Sequence, residues 1–371
     1  MVSCSRRRSP LRSYVVRQIL ERAFTMVTPN AAPTVRKPLT VGLIGAGMIS
    51  HAHARAWQAI GATLLIHAEK GAPEVASRYS IQQVKSYDEI LQRVDAVDLA
   101  TPSYTHKDLA LEAIRADKHV ICEKPLGLTT ADAVHVSNAA NNAGVQLHPA
   151  HVVRYTAPYL AAHRATQKGR LGKIAVARYF RNVSRPAPES WFRNEDLSGG
   201  IIMDLMIHDL DQALWNCGPA ESIYAVQNPQ TVAGRVPEVT SAHVTIKHEG
   251  GAISSIRATW GPLKTRFSTG FSIAGDKGTL SYSSDKDLTI TGEIQRSGGA
   301  NFENPKAPQF ESPHLLALRE FEQAIRGGPQ PRVTARDGIA AVQLVQAARL
   351  SLATGQAEEV AANFPVEKFA S

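Results

Sequence analysis

Gly45-Ala46-Gly47-Met48-Ile49-Ser50 follows directly on the apolar run Val41-Gly42-Leu43-Ile44 and opens a helical pattern, a combination that restricts the fold sharply. In a strand–turn–helix unit the first glycine permits the tight turn, and the second lets backbone approach a pyrophosphate. The helix N-terminus adds oriented N–H donors and partial positive charge. Ser50 stands where a third Gly or Ala is usual, but it is small enough for helix and strand to pack closely. Gly45, Gly47, Met48 and Ile49 therefore predict a dinucleotide site. The second strand of such a unit ends in an acid that binds the adenosine ribose. Counting along Leu64-Leu65-Ile66-His67-Ala68-Glu69 places Glu69 there, 22 residues after Gly47. An acid repels a 2′-phosphate and so favours NAD; neighbouring Lys70 partly offsets this and leaves NADP open.

The pattern continues as alternating strands and helices. Strands are expected at 39–44, 63–67, 95–100, 119–122 and 145–148, with helices at 52–60, 87–92, 106–116 and 130–143. This alternation implies a parallel sheet covered by helices on both faces, a Rossmann domain over residues 39–150. After a helix at 158–168 the reading becomes β-rich, with strands at 173–182, 222–227, 240–248, 252–260, 267–274 and 279–283. The glycine turns Glu249-Gly250-Gly251 and Gly275-Asp276-Lys277-Gly278 predict antiparallel hairpins. Residues 151–371 are thus expected to form an α+β domain with a large, mostly antiparallel open sheet that binds substrate and supports oligomerisation. Two helices, 313–326 and 334–354, follow, and the second is expected to pack back on the Rossmann domain.

The 371-residue chain is 43% hydrophobic and 20% charged, enough to bury a core. No run approaches the roughly 18 apolar residues of a membrane span. The net charge of +8 would suggest a nucleic-acid partner, yet residues 1–39 hold eight basic residues against Glu21 alone. That leaves 33 basic and 32 acidic residues elsewhere, so the folded body is nearly neutral and no nucleic-acid face is expected. Residues 1–38 are expected to be a basic disordered extension. A twin-arginine signal is interrupted by Pro10, Arg12, Arg17 and Glu21; an organellar presequence or a true start at Met26 both fit. Cys4, Cys122 and Cys217 share no metal or disulfide spacing, which suits a reducing compartment, and a cytoplasmic location is expected.

Two motifs fall at the carboxyl ends of later strands, where open α/β sheets bind ligands: Ala100-Thr101-Pro102-Ser103-Tyr104-Thr105-His106 and Cys122-Glu123-Lys124-Pro125. A third runs Gly199-Gly200-Ile201-Ile202-Met203-Asp204-Leu205-Met206-Ile207-His208-Asp209. The spacing of four between Asp204 and His208 places both on one face of a helix, where an acid would fix the imidazole tautomer and raise its basicity. Together with the glycine turn, these segments resemble the Gfo/Idh/MocA oxidoreductases (glucose–fructose oxidoreductase, inositol dehydrogenase, rhizopine catabolism), from about residue 39 to 355.

The resemblance implies an NAD(P)-dependent dehydrogenase of a cyclic polyol or sugar. In it Lys124 polarises the substrate hydroxyl, His208 is the general base and Asp204 orients both. It further implies that Glu123 lines the cofactor site or anchors Lys124, and that Thr101, Pro102 and His106 lie near the nicotinamide and its ribose. Arg154 and Tyr155, and Trp191 with Phe192, are candidate substrate contacts; an aromatic could stack on a sugar ring. His51 and His53 point to different faces of a helix and are read as surface residues, with no metal expected. The open face of the second sheet suggests a homodimer or homotetramer. Two other chemistries remain open on the same fold: a glycoside hydrolase or epimerase that oxidises transiently, and a non-catalytic NAD(P)-sensing regulator.

Overall fold

The computed structural model describes residues 37–285, 291–294 and 311–360; the expectation for residues 1–38 falls almost wholly outside them. Six strands form the first sheet: β1 (Thr40–Ile44), β2 (Thr63–His67), β3 (Gln82–Gln83), β4 (Ala96–Leu99), β5 (His119–Cys122) and β6 (Leu147–Pro149). All pair in parallel, in the order β3-β2-β1-β4-β5-β6. The central strands read as continuous apolar runs because helices cover both faces; β4 is buried along its whole length. The helices are α1 (Ser50–Ile60), α2 (Ala72–Tyr79), α3 (Tyr87–Arg93), α4 (His106–Arg115) and α5 (Thr130–Ala143). Ser86 and Thr129 cap α3 and α5, each accepting from the backbone N–H three residues on. The strand order reverses between β1 and β4, so a crevice opens at their carboxyl ends.

The second layer begins with α6 (Ala157–Gln167) and the long strand β7 (Ile174–Ser184). Then come a 3₁₀ turn at Trp191–Arg193, the one-turn α7 (Glu195–Ser198), a π-helical turn at Ile202–Met206 and α8 (Ile207–Cys217). Strands β8 (Ala220–Asn228), β9 (Thr240–His248), β10 (Ile253–Gly261), β11 (Ser268–Gly275), β12 (Gly278–Ser283) and β13 (Thr291–Ile294) follow. The chain continues through α9 (Pro313–Ile325) and α10 (Ala335–Thr354) to β14 (Glu358–Glu359). The eight-stranded sheet runs β13-β12-β11-β7-β10-β9-β8-β14. Both glycine turns close antiparallel hairpins, but β7 and β10 pair in parallel, so the sheet is mixed.

Strands β8 to β10 alternate buried and exposed residues, as a sheet covered on one face requires. Their inner face packs on α8 and α10, while Tyr224, Val226 and Ile253 are exposed on the other. Helix α10 bridges the two sheets. Val342, Val345 and Ala348 join the core of the second, Ile339 joins that of the first, and Thr130 N donates to Gln346 Oε1 at 2.5 Å. Helix α9 packs on α1, and its Leu318 and Phe321 share a core with Trp57 and Leu43. The first sheet's core is therefore completed by chain that comes from beyond residue 151.

Candidate active site

The glycine turn has the geometry that its sequence demands. Gly45 sits at φ +105°, and a Cβ there would lie 2.4 Å from the Ala100 carbonyl oxygen. A Cβ on Gly47 would meet nothing within 4 Å, so open space lies where backbone can approach a ligand. Ser50 is wholly buried, as close packing of α1 on the sheet requires. No side chain caps α1 and its first turn holds no acid, so no negative group competes with an anion at the positive end of the helix. Met48 stands 92% exposed at the rim, and Glu69 lies exposed two residues beyond β2. These features fit a dinucleotide.

Lys124 and Asp204 come together from the two layers. Lys124 ends the turn after β5, and its Nζ donates to Asp204 Oδ1 at 3.1 Å and to the Asp204 carbonyl oxygen at 2.6 Å. Both side chains keep some exposure, 15% and 18%, as a site open to substrate needs. Asp204 lies inside the π-helical turn, and its carboxylate is taken by Lys124. Hence the expected Asp204–His208 pairing does not form: Asp204 holds Lys124 alone, and His208 Nδ1 is buried without a hydrogen-bond partner. Burial drives the His208 pKa well below the usual histidine value, and the charge of Lys124, then Arg181, pushes the same way. Arg181 is itself locked in a bidentate pair with Asp209, at 2.8 and 2.9 Å. His208 is thus a neutral imidazole beside an ammonium, with its basicity lowered by both burial and that charge.

Three expected contacts find other duties. Arg154 is 3% exposed and grips Asp211 through Nε and Nη2, with Asp337 at 3.0 Å, so it fastens α8 to the start of α10 and is not a substrate ligand. Tyr155 is 2% exposed, donates to Glu320 Oε2 at 2.8 Å and packs on Phe321. His106 is buried, with the carbonyl oxygens of Pro125 and Thr101 at 2.7 and 3.0 Å from its ring nitrogens; it ties the two loops together and has no nitrogen left for a cofactor. Thr101 and Pro102 remain half-buried beside the crevice. Trp191 stacks on Phe192 at 3.9 Å and meets the exposed Tyr104 edge-on at 6.1 Å, which closes an aromatic wall from one layer to the other.

A buried network escaped the sequence reading. His53, read as a surface residue, is 1% exposed; its Nδ1 lies 2.8 Å from Asp98 Oδ2 and its Nε2 lies 3.1 Å from Glu123 Oε1. Trp57 Nε1 also donates to Asp98, and Glu123 Oε2 accepts from the Lys124 backbone N–H at 3.1 Å. Glu123 therefore anchors Lys124. The signal was present in α1, where Ser50, His53, Ala54 and Trp57 share one helical face, and in an acid within the apolar run Ala96-Val97-Asp98-Leu99.

Known proteins carry the same plan. Residues 39–151 match the oxidoreductase family with an NAD-binding Rossmann fold, and residues 159–281 match the GFO/IDH/MocA C-terminal domain. The chain is 33% identical to 1,5-anhydro-D-fructose reductase of Ensifer adhaerens, over 86% of this chain and 98% of that one. It belongs to the GFO/IDH/MocA family. Myo-inositol 2-dehydrogenase of Thermotoga maritima is 27% identical over 85% of this chain and 96% of its own length. GenD2 from gentamicin A biosynthesis, solved in complex with NAD, is 25% identical with a TM-score of 0.75, covering 90% of this chain and 99% of its own. As a GFO/IDH/MocA member this protein is an NAD-binding oxidoreductase. Among the described residues no helix is long and apolar enough to cross a membrane.

Proposed function

We propose that this oxidoreductase moves a hydride between NAD and a hydroxyl-bearing carbon of a cyclic polyol or sugar. The observation that carries the reading is the Lys124–Asp204 ion pair joining the two layers, with an uncharged His208 four residues on. Gly45, Gly47, Met48, Ile49 and Glu69, with Thr101 and Pro102, would hold the cofactor, which supplies a hydride acceptor when bound. Lys124 donates to the substrate oxygen and stabilises the negative charge that develops on it. Asp204 keeps the ammonium in place. His208 takes the hydroxyl proton while the carbon gives up its hydride, so the C–OH becomes a C=O; in the reverse direction it returns that proton. Trp191, backed by Phe192 and Tyr104, offers an aromatic wall to the C–H face of a sugar ring.

The names of the relatives support a cyclic, hydroxylated substrate, since anhydrofructose and myo-inositol are both rings of that kind. A screen of polyols, sugars and glycosides tests the reading: NADH formation with a polyol or sugar is expected. Product without net NADH would replace it with the redox-neutral chemistry, and tight NAD binding without turnover would replace it with a sensor. We also read the protein as a cytoplasmic homodimer or homotetramer. Free Cys122 and Cys217 suit a reducing compartment, and the uncovered outer face of the second sheet, with Tyr224, Val226 and Ile253 exposed on it, suits a second copy. Light scattering should return two or four chain masses; a monomer would contradict this.

A further inference from the structure

The Asp98–His53–Glu123 network lies outside the residues that the reaction uses, yet it connects the three elements that build the site. His53 and Trp57 come from α1, the helix that opens at the glycine turn; Asp98 comes from β4; Glu123 and Lys124 come from the end of β5. A ring with carboxylate oxygens on both sides must donate from both nitrogens, so His53 is an imidazolium. Burial opposes its charge, but Asp98 and then Glu123 outweigh burial and raise its pKa to about 10. For Glu123 burial is likewise overcome, chiefly by His53, and its pKa falls to about 2. A buried ion cluster is weak evidence for stability, which directs attention to what this one positions.

His314 of α9 stands beside this network: His53, Glu123 and His314 have donor atoms within 4.8 Å of one another, a set a divalent metal could use, and His314 Nε2 is buried without a partner. A metal would have to displace the proton that His53 Nε2 shares with Glu123 Oε1, 3.1 Å away.

We infer that His53 is a positioning residue: acting through Glu123, it sets the Lys124 turn in register with the helix that begins at the cofactor site. Its link to Glu123 Oε1 fixes the carboxylate, whose other oxygen holds the Lys124 backbone N–H. The inference rests on the reading of Lys124 as the group at the reacting hydroxyl. A displacement of about 1 Å at such a group can cost about a hundredfold in rate.

Two neutral replacements separate positioning from packing. In His53→Gln the amide nitrogen falls near the place of Nε2 and keeps the link to Glu123; in His53→Asn it falls near Nδ1 and keeps only Asp98. Expected is a kcat lowered about ten- to a hundredfold in H53N and substantially rescued in H53Q, with NAD affinity retained in both. Equal kcat in the two variants, or wild-type kcat in H53N, overturns the inference. If H53N does not fold, Glu123→Gln replaces it, with the same loss expected and wild-type kcat again overturning it. Lys124→Met distinguishes the two levels. If that variant keeps wild-type turnover, the proposed function fails; if it loses turnover while H53N does not, only the role of His53 fails. Metal analysis of the purified protein should find less than stoichiometric metal; one equivalent that disappears in His314→Ala would overturn the proton-filled arrangement.

Discussion

His53, in the helix after the glycine turn, lies between two carboxylates, whereas His208, beneath the second sheet, has Lys124 and Arg181 among its neighbours and a buried Nδ1 with no partner. Burial pushes both pKa values down, yet one ends at about 10 and the other well below 6.5. The difference lies in countercharge, not in depth. Asp98 and Glu123 make His53 a permanent cation that fixes geometry. The acids close to His208 in sequence are taken by other cations, Asp204 by Lys124 and Asp209 by Arg181, so His208 has no countercharge and stays neutral. One residue type thus serves two purposes in the same molecule.

The largest expected effect comes from removing the proton acceptor or its cation. His208→Asn and Lys124→Met should each lower kcat about 10²- to 10⁴-fold while NAD still binds, measured by steady-state kinetics alongside cofactor titration. On the other side of the comparison, Asp98→Asn leaves the buried imidazolium with Glu123 alone. It should cost about 3–5 kcal/mol in urea unfolding, because a buried pair broken from one side leaves an uncompensated charge.

The two histidines also act in opposite directions on the pH dependence of stability. His148, 2% exposed and with a pKa of about 4, follows the pattern of His208. The unfolded chain takes up protons at such residues below about pH 6.5 and the fold does not, so stability should fall between about pH 6.5 and 4. His53 contributes stability that is complete below about pH 6.5 and is lost as pH rises towards 10. Calorimetric melting across this range should show the alkaline loss reduced in His53→Gln; an undiminished loss would place the charge elsewhere. The smallest effect is a displacement of the acid limb of kcat/KM. It should lie well below pH 6.5 in the wild type and move upward in Lys124→Met, where measurable turnover remains, because a repelling cation has gone.

Much of the first sheet was legible because glycine turns and apolar runs are local signals. The exceptions are instructive: β3 is two exposed glutamines, Gln82-Gln83, with no apolar pattern to betray it, and α2 was passed over with it. In the second sheet the hairpins were readable from their turns. The parallel β7–β10 pair was not, since nothing local says which distant strands will meet. At the site, Lys124 and His208 came from motifs, whereas the Asp204–His208 pairing overlooked that Lys124, 80 residues away, takes the Asp204 carboxylate. Arg154 looked like a substrate ligand because it lies at the junction of the two halves, and its partner Asp211 is 57 residues away. The His53 links span 45 and 70 residues, beyond any periodic reading.

The most direct test of the account is the charge of His208 itself. Imidazole ¹⁵N shifts, assigned by comparison with His208→Asn and His53→Gln, report the protonation of each ring across about pH 6 to 9. The account predicts that His208 is neutral and His53 doubly protonated over most of this range. A His208 ring that is charged at neutral pH, or that titrates at the ordinary value near 6.5, would contradict it.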